Sequence, residues 1–410
     1  MKRKNRGIIG AAVISCLLSS SAFATGSLVK MDPWTAFEYS GTEGVTVKRL
    51  GRSDWYRVEG FTSDRSGSGL STLALGSGVE AIEPDRLIHV DSLAPNDPSF
   101  SGQWGLDRIQ YQSVYPGVLD MEPVTVAVID TGIDRTHPDL SGQFAENPGE
   151  VGVDSSGNDK SKNGIDDDGN GYIDDVYGYD FVDSDNDPSD AGFYHGTAVA
   201  GVIAAKTNNG VGITGVAPNA RLMSVRFLDK NGSGTVSAGV DAILYAVDNH
   251  AQILNLSWGS SIQSQALEEA LKYARDNGVI VVAAAGNDPY VISYPAGYEM
   301  DSLVSVSATD ESDELAKYSF ANSEGEIAAP GNNILTTTKM GGYGAMSGTS
   351  LATPHVAGAM ALYLGLASKT GLDPYRPVEA LIQSARRVPG LAGRLKSEGI
   401  LDLSGLLQAP

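Results

Sequence analysis

Apolar and polar residues follow a different pattern on the two sides of residue 123. Beyond it, short runs that are apolar throughout alternate with longer segments of helical character. These runs predict strands over residues 124–129, 222–227, 253–256, 279–284 and 303–306, with helices over 196–206, 235–249, 264–277 and 350–367. Apolar strands with helices between them are typical of a parallel sheet covered on both faces. The pattern therefore predicts an α/β fold, in which function gathers at the carboxyl ends of the strands.

Residues 25–92 form a unit of different character. Segments 45–47 and 55–58 predict short strands, and Gly/Ser-rich stretches such as 66–69 predict the loops between them. A linker containing Pro95 and Pro98 follows. We predict a small N-terminal domain over 25–92 and a larger domain over 93–410.

The first 24 residues have the composition of a secretion signal. Residues 2–6 are basic, 7–18 are apolar, and 22–24 form a small-residue cleavage site. The apolar run is too short to span a membrane. The single cysteine, Cys16, lies in this segment, and a lipid anchor through Cys16 is the alternative interpretation. Cleavage after Ala24 leaves no cysteine, so stability outside the cell cannot come from disulfides, and metal binding is a common substitute.

The net charge of −21 over 410 residues argues against nucleic acid as a partner. The acidity is concentrated in an insertion over 150–190, because residues 151–190 contain twelve Asp and two Lys. Oxygen-bearing side chains alternate there as in the first half of an EF-hand calcium loop. The predicted ligands are Asp166, Asp168, Asn170, Tyr172 through its carbonyl, and Asp175.

The twelfth position of this calcium-loop pattern is Tyr177 and not Glu. The last carboxylate must therefore come from Asp174, Asp175 or from farther away in the chain. The alternative is a solvated acidic insertion that holds no cation.

Four polar residues stand at predicted element boundaries. Asp130 and Asn287 each end a strand, and His195 and Ser350 open helices. Taken singly, each has an ordinary interpretation as a cap, a turn or a packed residue. A helix N-terminus favours developing negative charge, which suits a nucleophile at Ser350. We place Pro354 in the first turn of that helix, where its missing N–H costs nothing.

The motifs around these residues resemble those of the subtilisin family (subtilases) of serine endopeptidases. Asp-Thr-Gly at 130–132, His-Gly-Thr at 195–197 and Gly-Thr-Ser-x-Ala-Thr-Pro-His at 348–355 occur in the family's order, which is a known feature of subtilisin. The resemblance covers about residues 92–390. It implies a subtilisin-like three-layer fold with a mainly parallel central sheet, and peptide-bond hydrolysis through an acyl-enzyme intermediate.

The resemblance also implies a role for each of the four residues. Ser350 would be the nucleophile, His195 the general base and later acid, and Asp130 the group that orients the imidazole. The Asn287 side chain and the Ser350 N–H would donate to the oxyanion. One departure is Ala198, where the commonest family form has a second histidine; this bears on subgroup and not on activity.

An α/β-hydrolase is the competing interpretation of a serine at a sharp turn. That fold needs its acid and then its histidine after the serine in the chain. Only His355 follows Ser350, five residues on and at the wrong helical phase. We therefore exclude this class and expect His355 to pack beneath the site. His137 is expected to be structural.

By the same resemblance, an extended polypeptide would bind in a groove as an added strand. Small residues on the walls of the specificity pocket leave room for a bulky apolar side chain, and these segments contain no carboxylate that would select a basic one. Core packing is the alternative for Trp258. The predicted groove residues are Gly232, Ser233, Gly234, Ser257, Trp258, Gly259, Ala284, Ala285 and Gly286.

A second calcium site is implied by the resemblance of residues 207–213 to a family calcium loop. We expect one or two structural Ca²⁺ ions and no organic cofactor. The implied ligands are Asp139, Thr207, Asn209, Val211 and Ile213, with Gln103 as a further candidate.

The N-terminal unit resembles a subtilase propeptide, a small α+β domain that assists folding and then blocks the groove. Parallel sheets with non-local pairing fold slowly, so a domain that assists the folding of the larger domain would be useful. Cleavage is expected within 88–96, and a permanent structural domain is the alternative. We expect a secreted monomer, made as a self-processing zymogen, whose partners are polypeptide substrates and its own propeptide, with no membrane span.

Two further functional alternatives stay open at this point. A catalytically silent subtilase used for binding would need a broken triad, and none is broken here. A dedicated processing protease cannot be separated from a broad degrader by sequence.

Overall fold

The computed structural model describes residues 27–42, 45–59, 78–84, 94–190, 192–370, 372 and 376–408. The chain divides into two compact units, and the division falls in sequence between Asp91 and Ser92. The predicted secretion signal, Cys16 and most of the predicted cleavage region lie outside the described residues.

Among its described residues, the first unit contains a four-stranded antiparallel sheet and one helix. Asp32 caps the helix by accepting from the N–H groups of Trp34 and Thr35 at 3.0 and 3.1 Å, and Pro33 occupies the first helical position. The core of this unit is formed by Val29, Met31, Ala36, Tyr56 and Val58. The described elements are β1 (Ser27–Met31), α1 (Pro33–Ser40), β2 (Thr46–Arg49), β3 (Trp55–Glu59) and β4 (Val79–Pro84). The strands pair in the order β2-β3-β1-β4.

The second unit is α/β, and short 3₁₀ turns join several of its elements. Its described strands are β5 (Thr125–Asp130), β6 (Gly178–Asp180), β7 (Arg221–Arg226), β8 (Ile253–Leu256), β9 (Ile280–Ala284), β10 (Leu303–Thr309), β11 (Ile327–Pro330), β12 (Ile334–Thr338), β13 (Gly342–Met346), β14 (Arg386–Arg387) and β15 (Gly399–Ile400). Its described helices are α2 (Trp104–Arg108), α3 (Tyr111–Val114), α4 (His195–Ala204), α5 (Val236–Asp248), α6 (Gln265–Asp276), α7 (Thr349–Ala367), α8 (Pro377–Ser384) and α9 (Leu403–Leu406).

Nine described strands form one sheet in the order β14-β15-β11-β10-β9-β8-β5-β7-β6. All its pairings from β15 to β6 are parallel, and only β14 runs antiparallel at the edge. One face packs on α5 and α6 through alternate residues such as Ile129, Val225 and Leu256. The other face carries α4 and α7. The predicted three-layer α/β fold with a mainly parallel sheet is confirmed.

Helix α7 is the central helix of this second face. It is the one described helix that is long and apolar enough to cross a membrane. Nearly all its residues are buried against the sheet, however, as expected for the core helix of a folded domain. Its composition therefore reflects burial inside the protein.

Candidate active site

Asp130 and His195 are brought together by the end of β5 and the start of α4. Asp130 is fully buried, and the Nδ1 atom of His195 lies 2.8 and 3.0 Å from its two carboxylate oxygens. This approach depends on Gly196, because a Cβ there would lie 2.3 Å from the carbonyl oxygen of Gly132. The contact directs the Nδ1 proton at the carboxylate, so Nε2 is the nitrogen left to exchange protons.

The surroundings of His195 favour its charged form. Burial lowers the pKa of the imidazole, but the negative charge of Asp130, its hydrogen bond and the charge of Asp190 together outweigh burial and raise the pKa above its ordinary 6.5. The imidazole is therefore a stronger base than in water. Its protonated state is stabilised as soon as it forms.

Asp190 joins the loops that hold the two partners. Its Oδ2 atom lies 3.1 Å from the hydroxyl of Thr197 and 3.3 Å from that of Thr131. Its Oδ1 atom accepts from two N–H groups of the 192–194 turn at 2.9 Å. Thr131 comes directly after Asp130, and Thr197 lies two residues after His195. Asp190 therefore restrains the chain next to both members of the Asp130–His195 pair.

Ser350 is the second residue of α7, and Gly348 is the N-cap. Pro354 is the sixth residue of the helix, so its predicted position in the first turn is wrong. A proline there removes the N–H that would bond the carbonyl of Ser350. The hydroxyl of Ser257 donates to that carbonyl instead, at 2.9 Å. The N–H of Ser350 is one of the first in the helix, which have no intrahelical acceptor.

Asn287 is oriented by the start of the same helix. Its Oδ1 atom accepts from the N–H and the hydroxyl of Thr349 at 2.9 and 3.0 Å. Because the backbone N–H can only donate, the amide oxygen must face Thr349 and the Nδ2 donor must face away from it. A Cβ placed on Gly348 would lie 2.8 Å from the Ser350 hydroxyl oxygen and 3.4 Å from Asn287 Nδ2. The hydroxyl and the amide donor therefore border the same small space.

These groups lie at the carboxyl ends of neighbouring strands. Asp130 ends β5, Ser257 follows β8 and Asn287 follows β9, and the three strands are adjacent in the order β9-β8-β5. Ser350 is held at this edge by the hydrogen bond that the Ser257 hydroxyl donates to its backbone carbonyl. An acid–imidazole pair and a serine beside an amide donor are the parts that acyl transfer needs.

Comparison with known proteins agrees with this chemistry. A profile of the subtilase family matches residues 122–400. The chain belongs to the subtilase family. It is 40% identical over 314 residues to a thermophilic serine proteinase of Bacillus sp. (strain AK1), covering 76% of this chain and 69% of that protein. It is 38% identical over 298 residues to thermitase of Thermoactinomyces vulgaris, covering 72% and 93%.

A third relative is subtilisin E of Bacillus subtilis (strain 168), which is 36% identical over 291 residues, 70% of this chain and 65% of that protein. This subtilase is therefore a serine endopeptidase, a hydrolase of peptide bonds.

Two other histidines of the subtilase are buried in structural positions. The Nδ1–H of His355 donates to the carbonyl of Leu351 at 2.9 Å, and burial lowers the pKa of His355 to about 4, so the ring stays neutral. His137 donates from Nε2 to the carbonyl of Gly342 at 3.0 Å and meets the edge of Tyr343. Both positions agree with the packing roles expected from the sequence.

Two of the three predicted groove segments lie at the same sheet edge. Segment 257–259 follows β8, and segment 284–286 begins at the end of β9 beside it. Segment 232–234 closes a turn in which the N–H of Asp229 donates to the carbonyl of Ser233 at 2.8 Å. The Trp258 side chain is half-buried; it packs on Phe227 and donates to the carbonyl of Ile129 at 2.8 Å. These contacts agree with the core-packing alternative for the indole, and its exposed part leaves the groove role as a prediction.

Ser293 is a residue of this region that sequence patterns missed. A Cβ on Gly259 would lie 2.0 Å from its hydroxyl oxygen, and a Cβ on Gly286 would lie 3.0 Å from its Cβ. Its N–H donates to the carbonyl of Ala285 at 3.1 Å. Ser293 thus contacts both segments predicted as pocket walls, although neither the type of residue nor its spacing distinguishes it in the sequence.

The loop over 207–213 is held by two buried carboxylates. Asp139 accepts from Asn209 Nδ2 at 2.7 Å and from the N–H of Ile213 at 2.9 Å. Asp97, which the sequence did not single out, accepts from backbone N–H groups at 208 and 209. The side-chain amide of the candidate ligand Gln103 bonds both the carbonyl and the N–H of Thr214 at 2.8 Å. The implied carbonyl ligands Thr207 and Val211 lie in the same loop.

The acidic insertion contains a convergent group of carboxylates. One oxygen each from Glu150, Asp166 and Asp168 lies within 4.8 Å of the others. Asn170 and Tyr172 follow in the same loop, where the Oδ1 atom of Asn170 accepts from the N–H of Tyr172 at 2.8 Å. The remaining predicted ligand, Asp175, lies outside the convergent group. Its oxygens accept from the side chains of Asn147, Asn170 and Tyr245.

Proposed function

We propose that this subtilase cleaves peptide bonds with Ser350 as the nucleophile, His195 as the general base and Asp130 as the orienting carboxylate. The Ser350 hydroxyl attacks the scissile carbonyl and His195 Nε2 takes its proton. Asn287 Nδ2 and the Ser350 N–H donate to the oxyanion, and His195 then protonates the leaving amine. Water repeats the steps on the acyl-enzyme. The observation that carries this proposal is the Asp130–His195 contact at 2.8 Å, at the sheet edge that also holds Asn287.

We propose that the substrates are extended polypeptides bound beside segments 232–234, 257–259 and 284–286. The support is that two of these segments continue adjacent strands of the sheet, so their backbones run side by side. Backbone pairing of this kind binds many sequences, whereas the pocket between the segments selects a side chain. Small residues at 284–286 favour a bulky apolar side chain there. The enzyme would act as a monomer.

We propose that the protein is a secreted zymogen. Residues 1–24 would be removed as a signal, and residues 25–92 would act as a propeptide that is cut off by the enzyme itself. The composition of residues 1–24 and the separate compact unit ending at Asp91 support this scheme. The alternative is that the secreted protein stays attached to a membrane through a lipid on Cys16.

We propose that one or two Ca²⁺ ions stabilise the enzyme, one in the acidic insertion and one beside the 207–213 loop. The donors are carboxylate and carbonyl oxygens, which are the ligands calcium prefers. The fit is supported by the convergence of three carboxylates at Glu150, Asp166 and Asp168. Bound calcium would supply cross-links between loops and take no part in the reaction.

The test is purification of the wild type and of Ser350→Ala from the full chain. The wild type should lose its N-terminal unit, and the S350A protein should stay full length and inactive on peptides. Normal maturation of purified S350A would show that self-processing through Ser350 is wrong. A peptide-library digest of the wild type separates a broad protease from one that cuts a single motif.

A further inference from the structure

The side chain of Glu150 lacks a partner for one of its two carboxylate oxygens. Glu150 is fully buried, and its Oε1 atom accepts from the N–H of Asp167 at 2.7 Å. Its Oε2 atom is also buried, but it has no hydrogen-bond partner within the described residues. A buried carboxylate oxygen without a partner is costly, and proteins resolve the cost with a donor or a cation.

The unpartnered carboxylate belongs to the convergent group. Glu150, Asp166 and Asp168 each offer one oxygen within 4.8 Å of the others. No salt bridge reaches any of the three among the residues that the structure describes. Lys160 is nearby, but its ammonium donates to the carbonyl of Gly149 at 3.0 Å and lies 4.0 Å from Asp167. Three carboxylates this close repel one another unless a cation lies between them.

Asp175 has a different task. It is fully buried, and its Oδ2 atom accepts from the Tyr245 hydroxyl at 2.6 Å and from Asn170 Nδ2 at 3.1 Å, while Oδ1 accepts from Asn147 Nδ2 at 2.8 Å. Its oxygens are not part of the group formed by Glu150, Asp166 and Asp168. Since Tyr245 belongs to α5, Asp175 ties the insertion to the core.

We infer that Glu150 is the carboxylate ligand that completes a Ca²⁺ site with Asp166 and Asp168. It supplies, from the segment before the loop, the acid that the EF-hand pattern lacks at position 12. Three hard oxygen donors from two chain segments suit calcium, which accepts six to eight oxygens in flexible geometry and can add water. This inference rests on the calcium part of the proposed function and deepens it.

The consequence of this arrangement is a calcium-dependent link between chain segments. The ion would hold the 147–150 segment against the 166–168 loop. Asn147 already bonds Asp168 at 2.9 Å and Asp175 at 2.8 Å, so the same segment is connected with both the ion site and the core anchor. Calcium at Glu150 would therefore order the insertion and not only neutralise it.

The test measures Ca²⁺ binding by calorimetry on the chelator-treated, inactive S350A chain, which avoids self-digestion. In this background Glu150→Gln keeps the shape and the acceptor for the Asp167 N–H but removes the charge. It should lower the affinity of one Ca²⁺ site by about tenfold or more. The matched control is Asp154→Asn, because Asp154 lies in the same insertion but outside the convergent group, and its carboxylate accepts from Ser156 and Asn158. That variant should bind calcium as the parent does.

The outcomes separate the inference from the proposal beneath it. Unchanged calcium affinity in E150Q, with calcium bound by the parent, overturns the role of Glu150 alone. A parent that binds no calcium overturns the calcium proposal as well, and leaves the catalytic proposal untouched. Asp139→Asn, which alters the other candidate site, should leave the Glu150-dependent binding in place. Circular dichroism checks folding; if E150Q is unfolded, Asp168→Asn takes its place, and unchanged binding there overturns the site.

Discussion

The imidazole of His195 interacts with two carboxylates in different ways. Asp130 touches it and fixes the direction of its Nδ1 proton. Asp190 does not bond the ring but bonds the hydroxyls of Thr131 and Thr197, and it adds negative charge to the surroundings. One carboxylate therefore orients the base, while the other supports the loops around it and helps raise its pKa.

We expect Asp190→Asn to shift the pH profile of activity. The base must be neutral, so kcat/KM rises as pH passes upward through the pKa of His195. Removing the Asp190 charge lowers this pKa, and the acidic limb should move to lower pH. The amide oxygen can still accept from the two N–H groups of the 192–194 turn, and the amide nitrogen can donate to the threonine hydroxyls that the second carboxylate oxygen accepted from. The measurement is kcat/KM against pH on a peptide substrate. The control is Asp276→Asn, which removes an exposed charge elsewhere. If the acidic limb of the D190N profile stays at the wild-type pH, the electrostatic role of Asp190 is refuted.

Asn287→Ala should lower kcat by about 10²–10³-fold with little change in KM, because an oxyanion donor acts mainly in the transition state. Steady-state kinetics on a peptide substrate check this. The neighbouring exposed Asp288→Asn should keep wild-type rates. A loss in N287A that appears only in KM would contradict the assignment.

The side chains that could be predicted from sequence are those in contiguous motifs. Asp130, His195 and Ser350 lie in short sequence motifs, and these motifs indicate their catalytic roles without a structure. Asp190 and Ser293 act through residues distant in sequence, and their types are common in loops. Contacts of this kind depend on tertiary packing, which no local pattern records.

The first turns of α7, which carry Ser350, are held to strand β8 by side-chain hydrogen bonds. Pro354 removes one intrahelical bond, and Ser257 replaces it by donating to the Ser350 carbonyl. Asn255 Nδ2 in turn donates to the Ser257 hydroxyl oxygen at 2.9 Å. The helix that carries Ser350 is thus bonded to strand β8 and its continuation.

A double-mutant cycle tests this replacement. Ser257→Ala alone should destabilise the S350A protein by about 1–3 kcal/mol, because it leaves buried polar groups unpaired. In a Pro354→Ala background the restored N–H can donate to the Ser350 carbonyl, so the same change should cost less. Chemical denaturation of the four proteins measures the coupling. If the two changes in the free energy of unfolding simply add, Pro354 and Ser257 act independently and the proposed replacement is wrong.

The predicted strands and helices of the parallel sheet agree with the structure to within one or two residues at most ends. Long apolar runs with helices between them have few alternative folds. The sheet strands β6, β11, β14 and β15 and the hairpin of β12 and β13 were not predicted. The hairpin is rich in Thr and Gly, and its Thr336 and Thr337 hydroxyls donate to carbonyls of α4. Its pairing is therefore set by tertiary contacts and not by hydrophobic pattern.

Calcium removal should lower the stability of the entire second unit. A site filled at 100 times its Kd adds about 2.7 kcal/mol to the free energy of unfolding. The S350A protein should therefore unfold at lower temperature in excess chelator than in millimolar Ca²⁺, and Mg²⁺ should restore less. Calorimetric unfolding measures the difference. Equal midpoints in both buffers would count against both candidate sites.

The role of Ser350 as the nucleophile can be tested by labelling the enzyme with a serine-directed fluorophosphonate and mapping the adduct by mass spectrometry. We expect a single adduct on Ser350, formed rapidly in the wild type and far more slowly in His195→Ala. An active enzyme whose adduct lies on another residue, or whose Ser350 labels equally fast without His195, would contradict it.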